Sequence, residues 1–390
     1  MNRRTWAEIS GITLIRTVLN TGFRMIFPFQ PIFMDSLGVP LIQMTRMLAG
    51  QSLLGIFSPL FASLGDTRGR KTGMMVGLIL FSSGAGLMLF WPTVFGFLAF
   101  LLLSILGKSI FDPAIQAYFG DRIPYRRRGF VLAITETSWS GAFFLGVPLV
   151  GLLLNRFGLQ APFVVLTCLG AAALLTIILL IPRDPDLKQG QPTMLSNFGA
   201  VFNSPSARAG LSVTALICVA NQVVNVVFGV WLDQSFAFQI TALGGASAVI
   251  GLAELIGEGG VSLVSDRLSK KRAALVGILG SVLSSALLPV LGKTSTGAFF
   301  GLFFFYLTFE FTIVSVIPLM TGVLPEARAT TMAMNAAGAS LGRGLGAWIA
   351  APLYAAGFGL VAGAAAAINI LALIALRFVS PRESESDIEN

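Results

Sequence analysis

The sequence predicts an all-α polytopic membrane protein with twelve transmembrane helices, arranged as two pseudo-symmetric bundles of six. Three observations predict it: 55% of the 390 residues are hydrophobic and only 11% are charged, apolar stretches of membrane-spanning length recur along the chain, and the two halves carry related motifs. A helix needs roughly 20 apolar residues to cross a bilayer. Twelve such stretches lie near residues 9–34, 41–64, 72–92, 94–120, 129–154, 161–181, 207–233, 241–265, 273–292, 297–323, 330–354 and 358–379.

The basic residues indicate which side of the membrane each loop faces. Most of them, such as Arg122 and Lys271, fall on one side of the twelve spans, whereas the opposite side offers only Arg156 and Lys293, with Arg46 near a helix end. Because lysine and arginine accumulate in cytoplasmic loops, both termini are expected in the cytoplasm. The first span is longer than a signal-peptide core, so we expect it to be retained, in a bacterial cytoplasmic (inner) membrane.

Composition disfavours several other function classes. The chain has no histidine, and Cys168 and Cys218 lie in predicted spans, so neither a disulfide framework nor a Cys/His metal site is expected. The sequence shows no nucleophile–base set, metal cluster or nucleotide-binding loop, which argues against an enzyme. The net charge of +8 reports membrane topology and not binding to nucleic acid. We expect no cofactor, a monomer, and a small-molecule substrate, protons and the lipid bilayer as partners.

A polar segment divides the chain into two halves. Residues 182–206 are rich in Pro, Gly, Asp and Lys and predict a cytoplasmic linker between a bundle at 1–181 and a bundle at 207–390, which ends in a short polar tail. At an offset of 200 residues, "SLGDTRGRK" ends span two, "LVSDRLSKK" ends span eight, and Arg128 matches Arg328. Such weak internal symmetry is typical of transporters built from parallel repeats. The alternative is that short polar loops acquire Asp, Arg and Lys independently.

One of these loops carries a specific resemblance. "GDTRGRK", residues 65–71, resembles the loop signature of the major facilitator superfamily, and "SDRLSKKR" is similar to a degenerate copy of it. Ala62 and Thr67 stand where the family usually has Gly and Arg. The resemblance implies the fold of that family and a working cycle of alternating access.

The same resemblance implies a cytoplasmic gate. Asp66 would lie near the N-terminus of the eleventh helix, and Arg70 would pair with Asp121 at the end of the fourth. Such contacts form when the halves close and break when they open. The residues assigned to this gating motif are Asp66, Gly69, Arg70, Lys71, Asp121, Arg128, Asp266 and Arg267. The alternative is a solvated basic loop that only orients the protein.

Span five carries a second resemblance. "GAFFLGVPLVG" is similar to the Gly-Pro signature of the drug:proton antiporter branch of the superfamily. Gly141, Gly146 and Gly151 lack side chains and let another helix approach, while Pro148 weakens the backbone hydrogen bonding and permits a bend. Span eleven is also glycine-rich, with Gly338, Gly342, Gly344 and Gly346. Ordinary packing of glycine-rich transmembrane helices is the alternative.

Charged residues within the spans follow the plan of the family. In that fold, spans three, six, nine and twelve face lipid, and here they are free of charge except for Arg377 at one end. The first span instead carries Arg16, Asn20 and Arg24, which fall within an arc of about 80° on an α-helix. This polar stripe is expected to face a water-filled cavity, because a charge at a helix centre costs about 2.5–3.5 kcal/mol on insertion scales.

Acidic partners are available for these arginines in the same half. Span four offers Lys108 and Asp112, one turn apart, and span five offers Glu136. We expect Asp112 and Glu136 to partly neutralise Arg16, Arg24 and Lys108. A static polar network that fixes helix register is the equal alternative to a working site.

The C-terminal half holds the better candidates for proton coupling. Glu310 is a lone carboxylate midway along span ten among Phe and Tyr, an environment that disfavours its charged form. Glu254 and Glu258 lie one turn apart on span eight, where like charge and burial act on both, although either could instead be locked to Arg343. The neutral polar residues of span seven, which could bind a substrate or pair across helices, are Asn221, Gln222 and Asn225.

These features predict a secondary active transporter, with proton-coupled efflux of small amphipathic molecules or drugs as the favoured activity. The runner-up within the same fold is a carrier of an organic anion, sugar or lysolipid, in which Arg16, Arg24 and Lys108 grip an acidic group. A non-transporting membrane receptor or scaffold is the alternative from another class.

Overall fold

The computed structural model describes residues 3–58, 60, 69–182, 198–265, 268–324 and 327–380, and over these ranges it contains helices and no β-strand. The chain divides into two compact units. The first comprises Met1–Gln189 with Leu232–Leu252, and the second comprises Gly190–Trp231 with Ala253–Asn390. The predicted bundle boundaries, at 181 and 207, remain predictions.

Eight α-helices lie in the described part of residues 1–189. They are α1 (Arg3–Arg24), α2 (Gln30–Leu37), α3 (Leu41–Leu54), α4 (Arg70–Phe90), α5 (Val94–Arg122), α6 (Tyr125–Gly141), α7 (Val147–Phe157) and α8 (Gln160–Leu180). A 3₁₀ turn, Gly55–Phe57, continues α3, and a π-helical turn, Ala142–Gly146, joins α6 to α7.

A further eight α-helices lie in the described part of the remaining chain. They are α9 (Phe198–Asn203), α10 (Pro205–Asn225), α11 (Phe228–Phe236), α12 (Ile240–Ser265), α13 (Lys270–Leu291), α14 (Ser295–Thr321), α15 (Arg328–Ala355) and α16 (Phe358–Arg377). Most of α11 and the first half of α12 belong to the first unit.

Nine helical stretches within the described residues are long and apolar enough to cross a membrane. They are Arg70–Phe90, Val94–Arg122, Phe130–Phe157, Gln160–Leu180, Pro205–Phe236, Ile240–Val261, Lys270–Leu291, Ser295–Thr321 and Phe358–Arg377. The other three predicted spans correspond to helices that are interrupted or more polar: span one is broken after α1, span two contains the short α3, and span eleven is the α15 helix, rich in Gly, Ala and small polar residues.

The first and seventh spans are each broken at an equivalent position. Helix α1 ends at Arg24 and α2 starts at Gln30, whereas α10 ends at Asn225 and α11 starts at Phe228. Arg24 and Asn225 are 201 residues apart, close to the offset of the sequence repeat. Each break leaves backbone groups outside the regular hydrogen bonding of a continuous helix.

Helix starts repeat between the halves in the same way. The Thr93 hydroxyl accepts a hydrogen bond from the Gly96 amide at the start of α5, and the Thr294 hydroxyl accepts one from the Gly297 amide at the start of α14. Threonine satisfies one of the unpaired amides of a first helical turn, which fixes where each helix begins. These caps add structural support to the duplication that the sequence predicts.

A lysine at the start of α4 and another at the start of α13 each cap the C-terminal end of a neighbouring helix. Lys71 Nζ donates to the carbonyl oxygens of Ile178 and Ile181, at 2.7 and 2.6 Å, at the end of α8. Exactly 200 positions later, Lys271 Nζ donates to the carbonyls of Arg377 and Val379, at 3.1 and 2.6 Å, at the end of α16. A positive charge satisfies the last carbonyls of a helix and the negative end of its dipole.

The contribution of lysine capping at α8 and α16 to the free energy of unfolding can be measured. Replacing Lys271 with alanine is expected to lower the free energy of unfolding by about 1 kcal/mol, because two carbonyls lose a charged donor, and replacing Lys71 is expected to cost a similar amount. Thermal unfolding of the purified protein measures both. The neighbouring Lys270 is exposed, and its replacement serves as the matched control, with an effect below about 0.5 kcal/mol. Equal losses in the Lys270 and Lys271 variants would contradict the capping role.

Candidate functional site

A network of charged side chains connects α1, α5 and α6 within the first unit. The Arg16 guanidinium pairs with the carboxylate of Asp112 at 3.0 Å and with that of Glu136 at 2.9 Å. Its Nη1 also donates to the Thr135 carbonyl at 2.9 Å. The five hydrogen atoms of a guanidinium lie in a fixed fork, so a single arginine can hold two carboxylates from different helices.

Lys108 extends this network toward the C-terminal end of α1. Its ammonium lies 2.7 Å from the second oxygen of Asp112 and donates to Asn20 Oδ1 at 2.6 Å. The Asn20 amide nitrogen in turn donates to the Ser138 hydroxyl at 3.2 Å. The structure therefore brings together five of the candidate residues: Arg16, Asn20, Lys108, Asp112 and Glu136.

Arg24 lies one turn further along α1 against aromatic side chains of span five. Its Nη1 donates to the Trp139 carbonyl at 2.8 Å, and its guanidinium carbon lies 4.2 Å from the centroid of the Trp139 ring and 3.5 Å from that of Phe143. The faces of aromatic rings carry negative charge density and attract a cation. Trp139 and Phe143 thus supply a favourable environment for a buried arginine.

Burial makes the stability of this network depend on each charge keeping its partner. Arg16 is 7% exposed and Arg24 is 3% exposed, so little water solvates either guanidinium. A buried charge that loses its partner is strongly destabilising. Glu136 differs from the others, because 48% of its side-chain surface remains uncovered by protein. It is the member of the network that solvent or a ligand reaches most directly.

Two acidic residues in the second unit are also buried. Glu254 on α12 is 1% exposed, and Glu310 on α14 is 6% exposed. The two helices pack at Gly257, where an added Cβ would lie 3.1 Å from the Glu310 Cβ. Glu254 lies one helical turn from Gly257, so both carboxylates project from the same region of contact, while Glu258 is partly exposed.

Arg343 lies in the same neighbourhood. Its guanidinium hydrogen-bonds to the Cys218 thiol of α10, and both Arg343 and Glu310 are close enough to that thiol to act on it electrostatically. Arg343 also donates to the Ser340 hydroxyl at 3.2 Å. The predicted alternative of a carboxylate locked to Arg343 stays open.

The polar residues of α10 form a second hydrogen-bonded set. The Tyr306 hydroxyl donates to Asn225 Oδ1 at 2.7 Å, and Asn225 Nδ2 donates to Gln222 Oε1 at 3.2 Å. Asn221 is 8% exposed, and its amide nitrogen has no hydrogen-bond acceptor among the residues that the structure describes. Asn221 is the counterpart of Asn20 at an offset of 201.

Five residues that contact the charge network, Arg24 or the polar residues of α10 are not among the candidates predicted from the sequence: Thr135, Ser138, Trp139, Phe143 and Tyr306. A signal for most of them is present in "TETSWSGAFF", where Thr135, Trp139 and Phe143 recur every four residues on one face of span five. Tyr306 likewise precedes Glu310 by four residues on α14.

The predicted gating motif is only partly visible. Arg70 Nε lies 3.3 Å from Asp121 Oδ2, so the pair implied by the family resemblance is present within the first unit. Gly69 has φ of +100°, a conformation that residues with side chains rarely adopt. Asp66, Asp266 and Arg267 lie outside the described residues.

The other members of that motif make contacts inside their own half. Lys71 closes the end of α8, as described above. Arg128 Nε donates to the Ile123 carbonyl at 2.9 Å, and Arg328 Nε donates to the Thr321 carbonyl at 3.1 Å, at the equivalent place in the repeat.

The glycines of span five have unequal surroundings. A Cβ at Gly146 would overlap the Thr21 hydroxyl of α1, and a Cβ at Gly151 would lie 2.9 Å from the Phe29 ring. At Gly141 no atom of the described residues lies within 4 Å of that position. The π-helical turn directly precedes Pro148, whose missing amide hydrogen removes one hydrogen bond from the regular ladder.

Span eleven packs closely on span seven. A Cβ at Gly342 would overlap the Ala215 carbonyl, and one at Gly346 would lie 2.8 Å from the Val219 carbonyl. Small residues let these backbones approach, as is usual between transmembrane helices.

Comparison with known families decides the identity of this fold. Residues 12–323 and 210–390 match the Major Facilitator Superfamily. The chain belongs to the Major Facilitator Superfamily. It is therefore an integral membrane transporter and not an enzyme, and the predicted family and fold class are confirmed.

Related proteins align with two thirds or nearly all of this chain. It is 25% identical over 389 residues to the uncharacterized MFS-type transporter YceJ of Bacillus subtilis (strain 168), covering 97% of this chain and 96% of that protein. It is 26% identical over 278 residues to the multidrug resistance protein MdtG of Serratia proteamaculans (strain 568), covering 67% and 66% of the two chains.

Solved structures of the same superfamily share the fold at low sequence identity. The human organic anion transporter MFSD10 (TETRAN) superimposes with a TM-score of 0.72 at 18% identity, covering 96% of this chain and all of that chain. A bacterial homologue of the human lysosomal transporter Spinster, inward-facing and unoccupied, gives 0.71 at 16% identity, covering 97% and 95%. At these identities the likeness shows the fold alone.

Proposed function

We propose that this transporter exports small amphipathic molecules in exchange for protons, by alternating access. The observation that carries the proposal is the deep burial of Glu254 and Glu310 on two helices that pack at Gly257. A carboxylate can exchange a proton, and a change of conformation that admits water to a shielded carboxylate would link that exchange to the transport cycle.

The charge network of the first unit gives the cycle a second responsive element. Arg16 is shared between Asp112 and Glu136, and Asp112 is shared with Lys108. Uptake of a proton by half-exposed Glu136 would remove its attraction to Arg16 and alter the ion pairs within the network. A ligand or proton shifts a conformational equilibrium only through such a difference between states.

Export is supported by the names of relatives. Besides MdtG, the multi-drug resistance efflux pump PmrA homolog of Lactococcus lactis subsp. lactis (strain IL1403) is 24% identical over 273 residues, covering 67% of both chains. Trp139, which is partly exposed beside Arg24, offers apolar and polarisable surface to an amphipathic compound.

Transport of an organic anion is the second candidate. Arg16, Arg24 and Lys108 concentrate positive charge along α1 and α5, and a guanidinium can grip an acidic group with two hydrogen bonds. The structural neighbour MFSD10 is named as an organic anion transporter.

The gate and the orientation belong to the same proposal. We assign the Arg70–Asp121 pair to a cytoplasmic gate, together with Asp66, and place both termini in the cytoplasm of a bacterial inner membrane. The positive-inside rule and the 3.3 Å pair support this arrangement.

Reconstituted protein tests the function directly. Proteoliposomes with an imposed pH gradient should accumulate a cationic dye against its concentration gradient, and an ionophore that collapses the pH gradient should stop the accumulation. Dye flux that ignores the gradient would remove proton-coupled export. Gradient-driven uptake of an organic anion, lost in Arg24→Ala, would favour the second candidate instead.

A further inference from the structure

A cavity outside the charge network opens at one end of the first unit. It has a volume of about 440 Å³ and is lined by Arg4, Thr5, Glu8, Phe119, Arg122, Ile123 and Pro182. These residues come from the start of α1, the end of α5 and the segment after α8. The cavity therefore lies where three helices of the bundle begin or end.

The acidic residue of the cavity is already satisfied. Glu8 Oε1 accepts from Arg4 Nε at 3.2 Å, and Glu8 Oε2 accepts from the Tyr118 hydroxyl at 3.0 Å. Each Glu8 oxygen thus has a donor, and the carboxylate pairs with Arg4. Its charge offsets only one of the two arginines.

Arginine donors in the cavity remain available. The Arg122 guanidinium carbon lies 4.6 Å from the centroid of the Tyr118 ring, and within the described ranges its nitrogens have no hydrogen-bond acceptor. The terminal nitrogens of Arg4 also lack an acceptor there. Two guanidinium groups line the cavity: one stacks on a ring, and the other pairs with a carboxylate while 65% of its side-chain surface stays exposed. The guanidinium fork matches the geometry of a phosphate group.

The rest of the cavity favours a phosphate that carries an apolar body. Phe119, Ile123 and Pro182 supply apolar lining beside the two arginines. A volume of about 440 Å³ falls within the range of about 300–1,000 Å³ for small-molecule sites and exceeds what a single inorganic ion needs. The basic side of a membrane protein faces the leaflet that is rich in anionic lipids.

We propose that this cavity binds the phosphate of an anionic phospholipid headgroup, held by Arg122 and Arg4. The site is distinct from the charge network and independent of the transported substrate. Free phosphate or a soluble phosphate ester shares the recognition chemistry, so the test separates the two sources.

The experiment uses the full chain purified in detergent, with bound lipid counted by native mass spectrometry. Phosphatidylglycerol is expected to bind more tightly than phosphatidylcholine, and Arg122→Gln is expected to weaken phosphatidylglycerol binding about ten-fold, because a charge-assisted pair is lost. Arg122→Lys keeps the charge but not the fork and is expected to give an intermediate loss.

Arg127→Gln is the matched control, since Arg127 is exposed at the same end of the bundle and does not line the cavity. Its effect should be less than about two-fold. Equal losses in the Arg122 and Arg127 variants would overturn the site. Displacement of phosphatidylglycerol by millimolar inorganic phosphate would overturn the assignment to lipid. If Arg122→Gln does not elute as a single folded species, Arg122→Lys supplies the same comparison.

Discussion

Replacement of Glu310 by glutamine is expected to uncouple transport from the pH gradient. Glutamine has nearly the same size as glutamate but cannot exchange a proton, so gradient-driven accumulation in proteoliposomes should fall about 5- to 150-fold, the range spanned by coupling free energies of about 1–3 kcal/mol. Equilibrium binding of substrate should be nearly unchanged, because glutamine keeps the size and the polar character of the side chain. The measurement compares dye accumulation with dye binding in the same preparation.

The controls for this prediction separate proton exchange from packing. Glu310→Asp keeps a carboxylate one methylene shorter and is expected to retain part of the coupling. Glu254→Gln tests the second buried carboxylate on α12. A Glu310→Gln protein that still accumulates dye only when a gradient is imposed would remove Glu310 from the coupling step, and a loss of coupling in Glu254→Gln alone would assign the step to Glu254.

Much of the architecture follows from patterns that the sequence displays. Twelve apolar stretches and two related loops predict an all-α fold with an internal repeat, because the lipid core imposes long helices and a duplication preserves the spacing of motifs. The lysine caps at Lys71 and Lys271 and the threonine caps at Thr93 and Thr294 lie at offsets of 200 and 201. Local hydrogen bonding thus repeats along with the sequence.

The breaks in the helices show where such patterns stop being informative. Pro28 lies within the interruption of the first span and Pro31 in the first turn of α2, so a signal for that break is present in "FPFQP". The seventh span breaks at Val226 and Val227, where no proline or glycine occurs. Valine in an apolar run predicts a continuous helix, and tertiary packing decides otherwise.

Some side-chain contacts can be predicted from the sequence, and others cannot. Periodicity and the family plan place Arg16 near Asp112 and Glu136, and their charges favour pairing once they are buried together. The four-residue spacing indicates that Phe143 shares a face with Trp139, but it does not reveal the π-helical turn in which Phe143 meets Arg24. A lysine has a long flexible stem, so the sequence of the loop does not show that Lys71 reaches the end of α8.

Replacing Arg16 with methionine is expected to lower the free energy of unfolding by about 3 kcal/mol, near the lower end for breaking a buried ion pair. The substitution leaves Asp112 and Glu136 facing one remaining ammonium, that of Lys108. The loss stays at that lower end because Asp112 keeps its 2.7 Å pair with Lys108 and Glu136 is half exposed to solvent. Chemical denaturation in detergent measures the change, and Arg156→Gln, at an exposed position, is the control.

A double variant, Arg16→Met with Glu136→Gln, distinguishes a structural network from a working one. It removes one positive and one negative charge and keeps the Lys108–Asp112 pair, so the unfolding free energy should recover to within about 1 kcal/mol of the parent. If the network only fixes helix register, transport recovers with stability. If Glu136 and Arg16 respond to substrate or protons, the double variant is stable and inactive, because the charge difference between the two conformations that transport requires has been removed.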